Sequence, residues 1–138
     1  MLASGSFDGQ VAVVTGGGSG MGRAMAVEFA RLGAAVVVAG RRQEPLAETV
    51  ALIEAAGGQG LAQPTDVRVP EQVDALVAAA LERFGRLDVL VNDAAGNFVV
   101  KAEELSPNGW RAVTSIVLDG GHWLEQEGYM PALRPPER

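Results

Sequence analysis

The chain has no cysteine, one histidine and few aromatic residues, 5% in all. Without cysteine there is no disulfide framework, no thiolate metal site and no sulfur nucleophile, and the composition suits a reducing cytoplasm. The lone histidine, His122, leaves a metal cluster or a Ser-His-Asp arrangement without its other members, and it reads as an ordinary turn residue. Positive charge is scarce: 11 Lys and Arg against 17 Asp and Glu give a formal charge of −6. That balance argues against a broad nucleic-acid or anionic-membrane surface. No apolar run approaches the ~20 residues that a membrane span requires. The opening MLASGSFDGQ carries neither the basic nor the apolar region of a secretory leader. The expectation is a soluble, cytoplasmic protein with no nucleic-acid or membrane partner.

What is abundant is glycine, 18 in 138 residues, in a chain of one domain's length. The glycines concentrate in VVTGGGSGMGRA, residues 13–24, after the β-branched run QVAVVT (residues 10–15). Beyond them Met21, Met25, Phe29 and Leu32 recur at helical spacing, with Gly33 placed as a C-cap. Residues 34–40, AAVVVAG, read as a second buried strand. Leu46, Val50 and Ile53 then step round a helix between Pro45 and Gly57. Residues 60–66, GLAQPTD, form a weaker strand, and Pro64 would remove a ladder hydrogen bond, so an edge position is expected. Val73, Leu76, Val77, Ala80, Leu81 and Phe84 make a clear helical stripe ending near Gly85, and RLDVLVN (residues 86–92) is the fourth strand.

Strands alternating with helices of this length imply right-handed parallel β-α-β units. The fold class is α/β: a partial Rossmann fold, with a doubly wound parallel sheet of order 3-2-1-4 and flanking helices. The segment 113–119 supports two readings. Ser106 as N-cap and Pro107 at N1 start a helix on which Trp110, Val113 and Val117 share a face. VTSIVL is nevertheless β-branched and would serve as a strand. Helix is the preferred reading.

The glycine loop fits the spacing T-G-x-x-x-G-x-G through Thr15, Gly16, Gly20 and Gly22, with Gly18, Ser19 and Met21 between. Glycine lets backbone N–H groups approach a phosphate, and a helix N-terminus adds about half a positive charge. A pyrophosphate is the natural guest, and Ser19 offers a hydroxyl donor. A plain strand-to-helix turn would leave the entropic cost of so many glycines unexplained. At the end of the second strand, where an NAD-binding fold usually places an acid, the sequence reads Gly40, Arg41, Arg42. Two guanidiniums suit a 2′-phosphate, so NADP is the expected cofactor, with NAD the alternative.

The segments TGGGSGMG (15–22), TDV (65–67) and VNDAAGNF (91–98) resemble the short-chain dehydrogenase/reductase family. The resemblance implies that Asp66, with Val67, meets the adenine, and that the stretch Asn92, Asp93, Ala94, Ala95, Gly96 runs along the ribose. NDAAGNF followed by ELSPNGW (104–110) is similar to the subgroup that reduces fatty enoyl thioesters, the 2,4-dienoyl-CoA reductases. That subgroup implies an acyl-CoA substrate bordered by Asn97 and Phe98. Asp93 stands where it usually has asparagine, and Val117 where many family members carry a catalytic asparagine.

IVLDGGHWL (116–124) is also similar to the family's final strand and its DGG turn, which ordinarily come much later in the chain. The expectation is a dinucleotide-binding domain over residues 1–120 and a tail over 121–138, with the family's intervening segment omitted. In the family that segment supplies a tyrosine proton donor and a lysine four residues later. Here the one tyrosine, Tyr129, is followed four residues on by Leu133, and the one lysine is Lys101. A phenol without a nearby cation keeps a pKa of about 10, so no catalytic residue is assigned. Ser106 and Ser115 read as cap and helix-face residues rather than nucleophiles, Trp110 and Trp123 as packing, and Glu103 and Glu104 as a solvated face. Without later strands the fourth strand becomes an apolar edge, which invites a homo-oligomer.

Overall fold

The computed structural model describes residues 2–97 and 99–125. Four strands, β1 (Val11–Thr15), β2 (Ala35–Gly40), β3 (Gln59–Pro64) and β4 (Val89–Asn92), form one parallel sheet in the order β3-β2-β1-β4. The expected order is therefore observed. Val13 of β1 lies level with Val37 of β2 and Leu90 of β4. Every residue of β1 is buried, as a strand covered on both faces must be.

Helices α1 (Gly20–Arg31), α2 (Gln43–Ala55) and α3 (Pro70–Phe84) connect the strands. Strand alternation divides the core in two. Val14, Val36 and Val38 pack with α1 and α2 against Ala26, Leu46 and Ile53. Val13 and Val37 pack on the other face with α3, against Val73, Leu76 and Val77. Gly85, in the left-handed conformation at φ +78°, ends α3 where expected. β3 takes an edge position with Pro64 as its last residue, where the missing N–H disturbs little.

Two expectations for α1 and α2 are corrected. On α1 the deeply buried face is Gly22, Ala26 and Ala30, not the stripe of larger residues, and Met21 is 74% exposed. The cause is proximity: a Cβ on Gly22 would lie 2.3 Å from the Gly16 carbonyl oxygen. Only small side chains fit beneath the helix, and Phe29 packs to one side, edge-on against Phe7 at 5.0 Å. The second correction is that α2 begins at Gln43 with Arg42 as N-cap, so Pro45 sits within its first turn rather than opening it.

After β4 the chain passes through a short 3₁₀ turn (Ala102–Glu104) into α4 (Pro107–Thr114), a wider π-type turn (Ser115–Asp119) and α5 (Gly120–Trp123). The Ser106 hydroxyl accepts from the Gly109 N–H at 3.0 Å, as its capping role requires. Segment 113–119 is thus helical, and the strand alternative for it is not formed. The DGG run likewise lies in helix rather than in a turn. A Cβ on Gly120 would lie 2.7 Å from Val67, so glycine there permits α5 to pack on the loop after β3. His122, expected as a turn residue, belongs instead to α5, with its ring 5.4 Å from that of Trp123. Among the described residues no helix is long and apolar enough to cross a membrane.

Candidate nucleotide-binding site

The C-terminal ends of the strands open into a cleft of about 230 Å³. It lies where the chain order reverses, β1 being flanked by β2 on one side and β4 on the other, the usual position for ligands in open α/β sheets. Gly16, Gly18 and Ser19 enter it from the loop after β1, and Arg41 and Arg42 from the end of β2. Asp66 and Val67 come from the loop after β3, and Ala94 and Ala95 from the loop after β4. Nine residues predicted from sequence therefore converge from four separate loops.

The glycine loop is held close to its neighbours. Gly16, at φ +70°, abuts the loop after β4: a Cβ there would lie 2.9 Å from the Asp93 carbonyl oxygen. Gly20 also has positive φ, +54°, and faces open space. Ser19 is the N-cap of α1, yet its side chain makes no capping hydrogen bond, so its hydroxyl stands at the cleft beside the positive end of α1. These are the features of a cradle that a side chain would fill and an anion can occupy.

Other predicted residues stand behind or beside the cleft. Thr15 is 1% exposed, and its hydroxyl donates to the Val91 carbonyl at 3.3 Å. The same oxygen accepts the N–H groups of Asp93 and Ala94, both at 3.1 Å. Thr15 thus clamps the loop after β4 to the glycine loop and borders the smaller pocket beside the cleft. Gly22 lies beneath the loop, and Met21 projects outward from the first turn of α1. Asn92 lines a smaller pocket of about 180 Å³ beside Thr15. Gly96 is covered by Ile116, whose Cδ1 would be 2.5 Å from a Cβ at that position. Phe98 and Tyr129 lie outside the described residues. Lys101 lies outside both pockets, exposed and 3.7 Å from Glu104.

Arg68 and Ile116 also line the cleft, and sequence reasoning missed both. Arg68 forks onto Asp66, with Nη2 to Oδ2 at 2.5 Å and Nε to Oδ1 at 2.8 Å, and its backbone N–H adds a third bond to Oδ1 at 3.0 Å. This guanidinium hydrogen bond, above all, holds the Asp66 pKa down at about 2. The positive charge of Arg41 acts in the same direction. An arginine two residues after the acid was visible in TDVR, but its inward fold was not. Among the described residues Arg41 and Arg42 make no ion pair, which leaves two cations at the rim for an anionic ligand.

The family model for short chain dehydrogenase matches residues 10–133. A probable 2,4-dienoyl-CoA reductase of Bacillus subtilis is 45% identical over 124 residues, covering 83% of this chain and 49% of that protein. A peroxisomal 2,4-dienoyl-CoA reductase of Arabidopsis thaliana is 45% identical over 108 residues, 78% of this chain and 36% of that protein. Among solved structures, a citronellol catabolism dehydrogenase of Pseudomonas aeruginosa superposes with a TM-score of 0.89 at 38% identity, covering 96% of this chain and 54% of that one. The chain spans about half the length of such relatives or less.

Proposed function

Because the chain belongs to the short-chain dehydrogenase family, we propose that it binds NADP(H) in this cleft as the nucleotide-binding part of a reductase acting on unsaturated fatty acyl-CoA. The observation that carries the reading is the convergence of the glycine loop, Arg41 and Arg42 on one opening at the reversal point of the sheet. In this reading the N–H groups of Gly18 and Ser19, with the Ser19 hydroxyl, take the diphosphate. Arg41 and Arg42 take the 2′-phosphate, which favours NADP over NAD. Asp66 and Val67 meet the adenine edge. The nicotinamide supplies hydride when bound. The acyl-CoA substrate follows from similarity to proteins named 2,4-dienoyl-CoA reductase. The protein acts in the cytoplasm, where a cysteine-free chain is unaffected by the reducing poise.

A second reading is favoured by the spacing of the lone tyrosine and lysine. In it the chain binds the nucleotide without turnover, or assembles with a full-length reductase. One experiment separates the two: NADP⁺ titration together with NADPH oxidation across enoyl-CoA and carbonyl substrates. The reductase reading requires NADPH oxidation by the folded chain with at least one of these substrates. Saturable binding with no oxidation of any substrate supports the second reading.

A further inference from the structure

Two polar side chains lie directly behind the glycine loop and line none of the cleft. Thr49 of α2 is completely buried, an unusual place for a threonine on a helix face that otherwise carries Leu46 and Ile53. Its hydroxyl donates to the Gly17 carbonyl at 2.8 Å and accepts from Arg23 Nε at 3.0 Å. Arg23, from the first turns of α1, reaches back with Nη2 to the Gly18 carbonyl at 2.6 Å. The same nitrogen meets Glu48 of α2 at 2.8 Å, which fixes the guanidinium over the loop.

Trans peptide planes give this arrangement a consequence, since no cis bond occurs among the described residues. In a trans peptide the carbonyl of one residue and the N–H of the next point in opposite directions. Pinning the Gly17 carbonyl inward therefore turns the Gly18 N–H outward, and pinning the Gly18 carbonyl turns the Ser19 N–H outward. Gly18 and Ser19 both border the cleft. Glycine-flanked peptide planes flip at little steric cost, and a flipped plane would present a carbonyl oxygen to an anion.

We propose that Thr49 and Arg23 are positioning residues that lock the peptide planes of Gly17 and Gly18, so that the cleft presents N–H donors to a diphosphate. This deepens the nucleotide-binding reading and rests on it only for the identity of the ligand. The test is an amide NMR titration of the full chain with inorganic pyrophosphate and, separately, with NADP⁺. The parent is expected to show pyrophosphate-dependent shifts at Gly18 and Ser19. Thr49→Val and Arg23→Gln should lose those shifts and bind pyrophosphate roughly tenfold more weakly, while Thr49→Ser restores both. Spectral dispersion in the same samples reports folding, and the partly exposed Arg23 keeps the test open if Thr49→Val fails to fold. A folded variant with the parent's shifts and affinity overturns the inference. A parent that takes pyrophosphate but not NADP⁺ or NAD⁺ removes the proposed function and leaves this inference standing; a parent that takes neither pyrophosphate nor nucleotide overturns both.

Discussion

Asp66 and Arg68 face each other at the mouth of the cleft in a forked ion pair closed by Nη2–Oδ2 at 2.5 Å and Nε–Oδ1 at 2.8 Å. The pair lowers the Asp66 pKa from 3.8 to about 2. A depressed folded-state pKa means that the pair's stabilisation is complete above about pH 4 and fades as pH falls through about 2. Because Arg68 is partly exposed, the contribution is at most about 1 kcal/mol. Arg68→Ala is expected to return the Asp66 carboxyl towards the ordinary carboxylate range, measured by ¹³C NMR titration. An unchanged Asp66 titration in the variant would contradict this account of the shift.

Asp93 lies beside the N-terminal turn of α1: a Cβ on Gly22 would sit 2.9 Å from Asp93 Oδ2. An acid there favours the helix end but competes with an incoming anion for the same positive field. Asp93→Asn is expected to cost about 0.3–1 kcal/mol of stability and to tighten nucleotide binding by a few fold. Urea denaturation and calorimetric titration measure the two effects, and a variant that binds more weakly would refute the competition.

Thr15 satisfies two backbone N–H groups of the loop after β4 with one hydroxyl. Thr15→Val keeps the side chain's shape and removes the acceptor, leaving both donors without it. The expected loss is roughly 1–3 kcal/mol, seen in chemical denaturation, with faster hydrogen exchange at the Asp93 and Ala94 amides. A loss of stability without faster exchange at those amides would place the effect elsewhere.

β4 pairs with β1 alone among the described residues, which leaves its outer edge open. Val99, Trp110, Val117 and Leu118 add exposed apolar surface in the segment that follows. Self-association is expected, visible as a mass that rises with concentration in sedimentation equilibrium. A stable monomer throughout the concentration series would contradict it.

Much of this architecture was legible because apolar runs in a parallel sheet are continuous, and glycines punctuate them. QVAVVT and AAVVVAG became β1 and β2, and Pro64 placed β3 at an edge. What the sequence concealed depends on distances between elements. The buried face of α1 consists of small residues because the helix lies against the Gly16 carbonyl, and no periodicity of large residues reveals that. For 113–119 the β-branched composition competed with the Ser106 cap, and the cap, with Gly120 packing on Val67, prevailed. Among site residues, Arg41, Arg42 and the glycine loop could be read from local order alone. Ile116, Thr49 and Arg23 could not, since only the folded chain brings them to the cleft or the glycine loop, and for Arg68 the neighbouring acid was visible but the inward fold was not.

The proposed grip of this cleft is on a dinucleotide's diphosphate and 2′-phosphate. It is tested most directly by calorimetric titration of the full chain with NADP⁺ and NAD⁺, alongside the Arg41→Ala/Arg42→Ala variant. Saturable one-to-one binding is expected, tighter for NADP⁺, with the preference for the 2′-phosphate lost in the variant. Absence of saturable binding to either nucleotide by the folded parent would contradict it.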